Sequence, residues 1–307
     1  MSHDHHHPGT GQILKWSFFA TLAFVVLEAL VGIRAGSLAL LSDAGHNFTD
    51  ALSLVLAGVG LYLQSKPADE IKTFGYHRAG VLTAFANALT LGGIAILIFY
   101  EAWQRFLHPR HVSEQAMLWV AALALVLNGT VMWGLHRDKD HDLNIRAAFV
   151  HMLGDAVSSV GIIAGAIAIH YTGVQAIDPL LSVLIGAMII WTAWDIIQES
   201  LNVLLEGLPR GMELQQVTEA MRALEGVIDV HDLHIWSLGS SAHALSCHVL
   251  IEDMPPSESN TILCRINELL CGFNVHHTTI QFEHAKCANS DAPCSVLATL
   301  HHHEHTE

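Results

Sequence analysis

The chain has 307 residues, 51% hydrophobic and only 14% charged, with a formal net charge of −15. That is too apolar for an ordinary soluble domain and too acidic for a nucleic-acid binder, whose affinity rests on neutralising phosphates. The acid is concentrated late: residues 1–207 hold ten basic and sixteen acidic side chains, and residues 208–307 hold four and thirteen.

Twenty-three histidines are far more than a chain of this size ordinarily carries. The first cluster is His3, His5, His6 and His7, and it is mirrored at the other end by His301, His302, His303 and His305. Interrupted by Asp4 and Glu304, the two clusters look less like a purification tag than like native metal-gathering tails.

Six apolar stretches follow the first tail, each able to supply the roughly 20 residues of a membrane-spanning helix. They run approximately from Ile13 to Ile33, Leu38 to Leu63, Ala79 to Trp103, Met117 to His136, Ile145 to His170 and Ala176 to Leu205. Lys15, Lys66, Lys72, Arg78, Arg137, Lys139 and Arg146 fall on the side of the termini, against Arg34, Arg105 and Arg110 on the other. This bias puts both termini in the cytoplasm, although the Arg105–Arg110 connection runs against it. Glu28 interrupts the first span and is expected to point inward. Asp178, just before Pro179, reads as the carboxylate cap and dipole complement of the sixth span's own start. Gly161, Gly165, Gly186 and Ala187 are expected to let helices approach closely.

The second span contains Ser42-Asp43-Ala44-Gly45-His46-Asn47-Phe48-Thr49-Asp50, and the fifth echoes it in His151-Met152-Leu153-Gly154-Asp155. Both read His-x-x-x-Asp, a spacing that puts imidazole and carboxylate on one helix face, one turn apart. Two such helices facing each other supply two nitrogens and two oxygens, a tetrahedral set suited to zinc. Ionisable groups inside a membrane face the bundle interior and mark an ion or proton pathway.

Beyond Pro209 the pattern changes. Glu213 to Leu224 is an amphipathic helix with Leu214, Val217, Met221 and Leu224 on one side. Val227 to Ser237 and Ala242 to Glu252 alternate as strands around a turn at Gly239-Ser240-Ser241, Ser257 to Leu270 is a second helix, and Val275 to Phe282 a third strand. The order α-β-β-α-β in roughly 75 residues predicts a small two-layer α+β domain. All five cysteines, Cys247, Cys264, Cys271, Cys287 and Cys294, lie in this acidic part. Their odd number, with no cleavable signal ahead of them, argues for cytosolic thiols rather than a secreted disulfide framework.

Five motifs in order resemble the cation diffusion facilitator family, in its bacterial zinc, cobalt and cadmium efflux branch. They are the two His-x-x-x-Asp pairs, Phe74-Gly75-Tyr76-His77-Arg78, Asn202-Val203-Leu204-Leu205-Glu206-Gly207, and His231-Asp232-Leu233-His234-Ile235-Trp236. The resemblance covers nearly all of Ile13 to Cys287. It implies a homodimeric, proton-coupled exporter in a bacterial inner membrane, with six transmembrane helices and a ferredoxin-like cytoplasmic domain. On this reading residues 1–12 form a His-rich tail, 13–207 the membrane domain, 208–286 the cytoplasmic domain and 287–307 a Cys/His tail.

Carried over by position, His46, Asp50, His151 and Asp155 form the transport site, and Asp43 guides metal in or orients it. His231, His248 and Glu283 form a cytoplasmic zinc site, and His276, Cys287 and Cys294 resemble a second one containing thiolates. Some relatives bind metal in the second-to-third loop. Here Asp69 matches, but Lys72 and Tyr76 stand where histidines would be. Arg78 and Glu206 match a charge pair that locks the membrane and cytoplasmic parts together. His234, His243, His277 and His284 are taken as surface or core histidines.

The implied activity is exchange of zinc for protons, with cadmium and cobalt as alternative substrates. Partners are divalent metal ions, protons, membrane lipid and a second copy, with no nucleic acid. Two other classes compete. A membrane metalloenzyme would want an open coordination position and a His-Glu-x-x-His motif, which does not occur. A membrane-anchored metal sensor would leave the ligands inside spans two and five unexplained.

Overall fold

The computed structural model describes residues 10–136, 143–239 and 242–285. Both histidine clusters, Arg137, Lys139, the serines of the expected Gly239-Ser240-Ser241 turn, Cys287 and Cys294 lie outside the described residues. Six long helices come first: α1 (Thr10–Ala35), α2 (Leu38–Gln64), α3 (Ala79–Leu107), α4 (Glu114–Leu135), α5 (Leu143–Thr172) and α6 (Ile177–Leu204). They start and stop within a few residues of the six apolar stretches. Then come α7 (Leu214–Arg222), β1 (Val227–Ser237), β2 (His243–Ile251), α8 (Pro256–Cys271) and β3 (Val275–Glu283), the expected order.

The structure divides into two compact units: Met1–Gly58 with Ala84–Ile197, and Val59–Thr83 with Gln198–Glu307. The first is a helical bundle whose centre alternates alanines with larger groups, among them Ala88, Ala95, Met117, Ala121, Ile162, Ala166 and Ile189. Small residues let helix backbones approach where no water drives them together. A Cβ added at Gly186 would lie 2.9 Å from Phe99, and one at Gly165 would strike Leu181, so both are packing glycines. Gly161 is different, because a Cβ there meets nothing. Outside the core, Leu97, Trp103, Trp119, Val126, Trp133, Val160 and Trp191 are exposed, an outward apolar surface that suits lipid. Trp119 and Trp133, both exposed, lie 14 residues apart along α4, about 21 Å. Among the described residues four helices are long and apolar enough to cross a membrane: α3, α4, α5 and α6.

Asp178 corrects the expectation made for it. It sits in the first turn of α6, yet its carboxylate accepts hydrogen bonds from Leu38 N (2.7 Å), Ala39 N (3.2 Å) and Ser37 Oγ (2.6 Å) at the start of α2. It therefore caps another helix. Arg105, itself buried, adds a guanidinium contact at 3.3 Å and donates to the carbonyl of Gly36. Gly36 has φ of 66°, a left-handed turn between α1 and α2 that a side chain resists.

In the second unit the sheet runs β1-β2-β3, antiparallel between β1 and β2 and parallel between β2 and β3. The parallel pair needs a crossover, and α8 supplies it. Helix α7 packs on β1 and α8 on β3 over one apolar core, including Val217, Met221, Leu245, Val249, Ile262, Ile266 and Leu270. Leu214, expected on the apolar side of α7, is instead exposed.

Candidate metal centres

On α2, His46 and Asp50 share a face, with His46 Nε2 3.7 Å from Asp50 Oδ2. On α5, His151 Nε2 lies 3.7 Å from Asp155 Oδ2. The helices meet crosswise: His46 Nε2 is 3.5 Å from Asp155 Oδ1, and His151 Nε2 is 3.5 Å from Asp50 Oδ2. Zinc bonds of about 2.0–2.1 Å place tetrahedral ligand atoms about 3.3–3.4 Å apart, slightly less than these four contacts. His46, Asp50 and Asp155 each bring one ligand atom within 4.8 Å of the others, whereas His151, with its side chain 44% exposed, stands outside that group of three. Asp50 Oδ2 faces both imidazoles and is buried without a hydrogen-bond partner. His46 Nδ1 is buried without one too.

Hydroxyls brace the backbone beneath the ligands. Thr49 Oγ1 donates to the carbonyl of His46 (2.7 Å), Ser53 Oγ to that of Asp50 (2.7 Å) and Ser159 Oγ to that of Asp155 (2.9 Å). Such back-bonds often bend helices locally. Asp43 does not join the ring, because its Oδ1 accepts from Ser158 Oγ at 2.6 Å. Glu28 is fully buried on α1 and accepts from Asn47 Nδ2 at 3.3 Å, inward-facing as expected.

In the sheet, His231 on β1 stands opposite His248 on β2, while Glu283 pairs in register with Leu250 two residues further along β2. His231 Nε2 lies 3.2 Å from Glu283 Oε2, and His248 Nδ1 lies 2.9 Å from Glu283 Oε1. His231 Nε2 and Glu283 Oε2 are buried with no hydrogen-bond partner despite their closeness. Two nitrogens and a carboxylate converging on one point, with orphaned polar atoms among them, could hold a divalent metal such as zinc, with three ligands among the described residues.

Asp232 is the residue that sequence reasoning missed. It has φ of 51° at an irregularity between His231 and His234, and this turns its carboxylate toward both His234 Nε2 (3.2 Å) and His248 Nε2 (3.9 Å). A bulge is visible in strand pairing and leaves no mark in a His-Asp-Leu-His string. His234 is therefore tied to Asp232. Burial and the nearby charge of His276 lower the pKa of His243. His276 Nε2 is 3.0 Å from Asn274 Oδ1, and its expected partners Cys287 and Cys294 lie outside the described residues.

The α2–α3 loop is held by its own hydrogen bonds. Asp69 accepts from Ile71 N (2.8 Å), Lys72 N (2.6 Å) and Tyr76 OH (2.9 Å), so Tyr76 occupies the aspartate. These donors, the backbone ones first, lower the Asp69 pKa. Arg78 Nη2 reaches Glu206 Oε1 at 3.2 Å, with both side chains substantially solvated.

The cation efflux transmembrane domain profile matches residues 14–205, and the cation efflux cytoplasmic domain profile matches 209–285. The chain belongs to the cation efflux family. Members of this family are transporters rather than enzymes, and the chain is a multi-pass integral membrane protein. Among its relatives is the metal cation efflux system protein CzcD of Cupriavidus metallidurans, 39% identical over 292 residues, covering 94% of this chain and 92% of the relative. The cadmium, cobalt and zinc/H(+)-K(+) antiporter of Bacillus subtilis is 37% identical over 286 residues, 92% of each. Zinc transporter ZitB of Pectobacterium atrosepticum is 38% identical over 307 residues, 98% of this chain and 94% of the relative. A solved metal-bound C-terminal domain of the CzcD transporter is 36% identical, covering 24% of this chain and 99% of that one, with a TM-score of 0.22.

Proposed function

We propose that this cation efflux protein exports zinc from the cytoplasm in exchange for protons, through a His2Asp2 site made of His46, Asp50, His151 and Asp155. The observation that carries this is the crosswise ring of nitrogen–oxygen contacts, 3.5 to 3.7 Å each, between two long helices of the bundle. Zinc takes neutral imidazole and ionised carboxylate, so loading the site expels protons and protonating it expels the metal. Competition for the same four groups couples the two fluxes. Relatives named for zinc, cadmium and cobalt transport support divalent metal as cargo, with cadmium and cobalt as alternative substrates.

In this reading all six long helices span a bacterial inner membrane. Helix α2 is less apolar than its neighbours because it carries the site. Both termini are cytoplasmic, and burial of Arg105 against Asp178 accounts for one of the charges that ran against that orientation. Residues 13–207 form the membrane domain. Residues 208–286 form a ferredoxin-like cytoplasmic domain that pairs two copies of the chain and holds a resident zinc at His231, His248 and Glu283. Arg78 pairs with Glu206 just after α6 and also reaches the carbonyl of Ser237 on β1 at 3.5 Å, and so ties the loop to that domain through solvated contacts of modest energy. Zinc uptake into sealed proteoliposomes holding the purified chain, with no nucleotide present, tests the reading. Absence of transmembrane flux alongside tight zinc binding would favour a sensor.

A further inference from the structure

Asp43 lies three residues before His46 on α2, and Ser158 lies three residues after Asp155 on α5. Their hydrogen bond, Ser158 Oγ to Asp43 Oδ1 at 2.6 Å, therefore joins the two ligand helices about one turn from the ring of ligands. Asp43 is buried and Ser158 half-buried, so water competes weakly for the bond. Helix α1 supports the same stretch, with Glu28 accepting from Asn47, the residue after His46, and also lying against Asp43.

The ligand ring depends on this spacing. Two of its four contacts, His46–Asp155 and His151–Asp50, bridge the helices, while the other two lie within one helix and do not change when the helices separate. The distance between α2 and α5 is thus the free dimension of the cage. Cadmium carries the same charge as zinc and accepts the same ligands, but it is a larger ion. A cage held narrow favours zinc, since selectivity among such ions comes from geometry more than from ligand affinity. Groups behind a metal's ligands set that geometry.

We propose that Ser158, through its hydrogen bond to Asp43, fixes the α2–α5 spacing and so makes the site prefer zinc over cadmium. Ser158 is a positioning residue and touches no metal. The proposal rests on the transport-site reading given above.

The test compares zinc and cadmium uptake by the full-length chain in proteoliposomes at matched protein levels. The variants are Ser158→Ala, Ser158→Thr and, as a control on the site itself, Asp155→Ala. Ser158→Ala is expected to shift the ratio of zinc to cadmium KM toward cadmium by about fivefold, the size of one hydrogen bond's net contribution, with kcat for zinc changed less. Ser158→Thr, which keeps the hydroxyl, restores the ratio. Equal losses for both metals in Ser158→Ala, or an unchanged ratio, with Asp155→Ala inactive, would overturn the proposal and leave the site standing. Normal transport by Asp155→Ala would overturn the site and the proposal together.

Discussion

His46 on α2 faces Asp155 on α5 at 3.5 Å, closer than the 3.7 Å that separates it from Asp50 on its own helix. His151 repeats the pattern from the other side. Each imidazole thus belongs to both helices, and a small movement of α2 against α5 withdraws two ligand contacts at once. In the function proposed above, that movement would release the metal.

Replacing His46 by Asp exchanges a nitrogen for a third carboxylate and makes the site harder and more oxygen-rich. Preference for zinc over manganese should fall by roughly an order of magnitude. Competition uptake assays measure it, and an unchanged preference would remove His46 from the ligand set.

Asp178 predicts a stability effect without a ligand role. Asp178→Ala strips Arg105 of a buried partner and the start of α2 of its cap, which should cost about 3–5 kcal/mol. Removing the exposed Arg265–Glu225 pair (3.3 Å) should cost under about 1 kcal/mol. Thermal unfolding in detergent compares the two. Similar midpoints would mean that Asp178 is not the anchor described.

The sequence displays the candidate ligands and hides what packs behind them. His-x-x-x-Asp is a helical spacing, so the pairing of His46 with Asp50 and of His151 with Asp155 is legible in the residue order alone. The αββαβ order is legible in the same way, from its changing periodicity. Asp178 reads as a cap of its own helix because sequence reveals only near neighbours. Its actual partners, Ser37, Leu38 and Ala39, lie at the start of α2 across the bundle. Ser158 carries no signal, since a serine in an apolar helix more often bonds its own backbone. Asp232 depends on a bulge, and bulges follow strand register.

On the proposed reading zinc should order the three-stranded sheet, because His231, His248 and Glu283 come from three strands and a shared ion would tie them together. In the full-length chain, hydrogen exchange of β1, β2 and β3 should slow on adding zinc, and His248→Ala should abolish most of the slowing. Identical exchange with and without zinc in the wild type would leave the sheet without a metal.

Thiol labelling should separate the cysteines of this domain. Burial pushes the Cys247 thiol up to about 12, whereas Cys264 and Cys271 are exposed on α8. The thiolate is the reactive form, so at neutral pH maleimide should modify Cys264 and Cys271 and spare Cys247. Peptide mapping that finds Cys247 labelled as fast as Cys264 would contradict this packing.

The α2–α3 loop makes a prediction about pH. Asp69 has a folded pKa below its unfolded value of about 3.9, so its hydrogen bonds favour the ordered loop above that value and fade as pH falls through the lower, folded one. Amide protection at Ile71 and Lys72 should therefore persist unchanged from neutral pH to about 5. Tyr76→Phe should raise the Asp69 pKa toward normal. Protection already lost near pH 5 would show that Asp69 is not held this way.

Zinc flux and internal pH recorded together in sealed proteoliposomes, for the wild type and Asp155→Ala at equal protein level, test the central claim most directly. The account predicts zinc movement with protons moving the opposite way in the wild type, and neither flux in Asp155→Ala. Zinc flux that persists in Asp155→Ala, or wild-type flux with no change in internal pH, would contradict it.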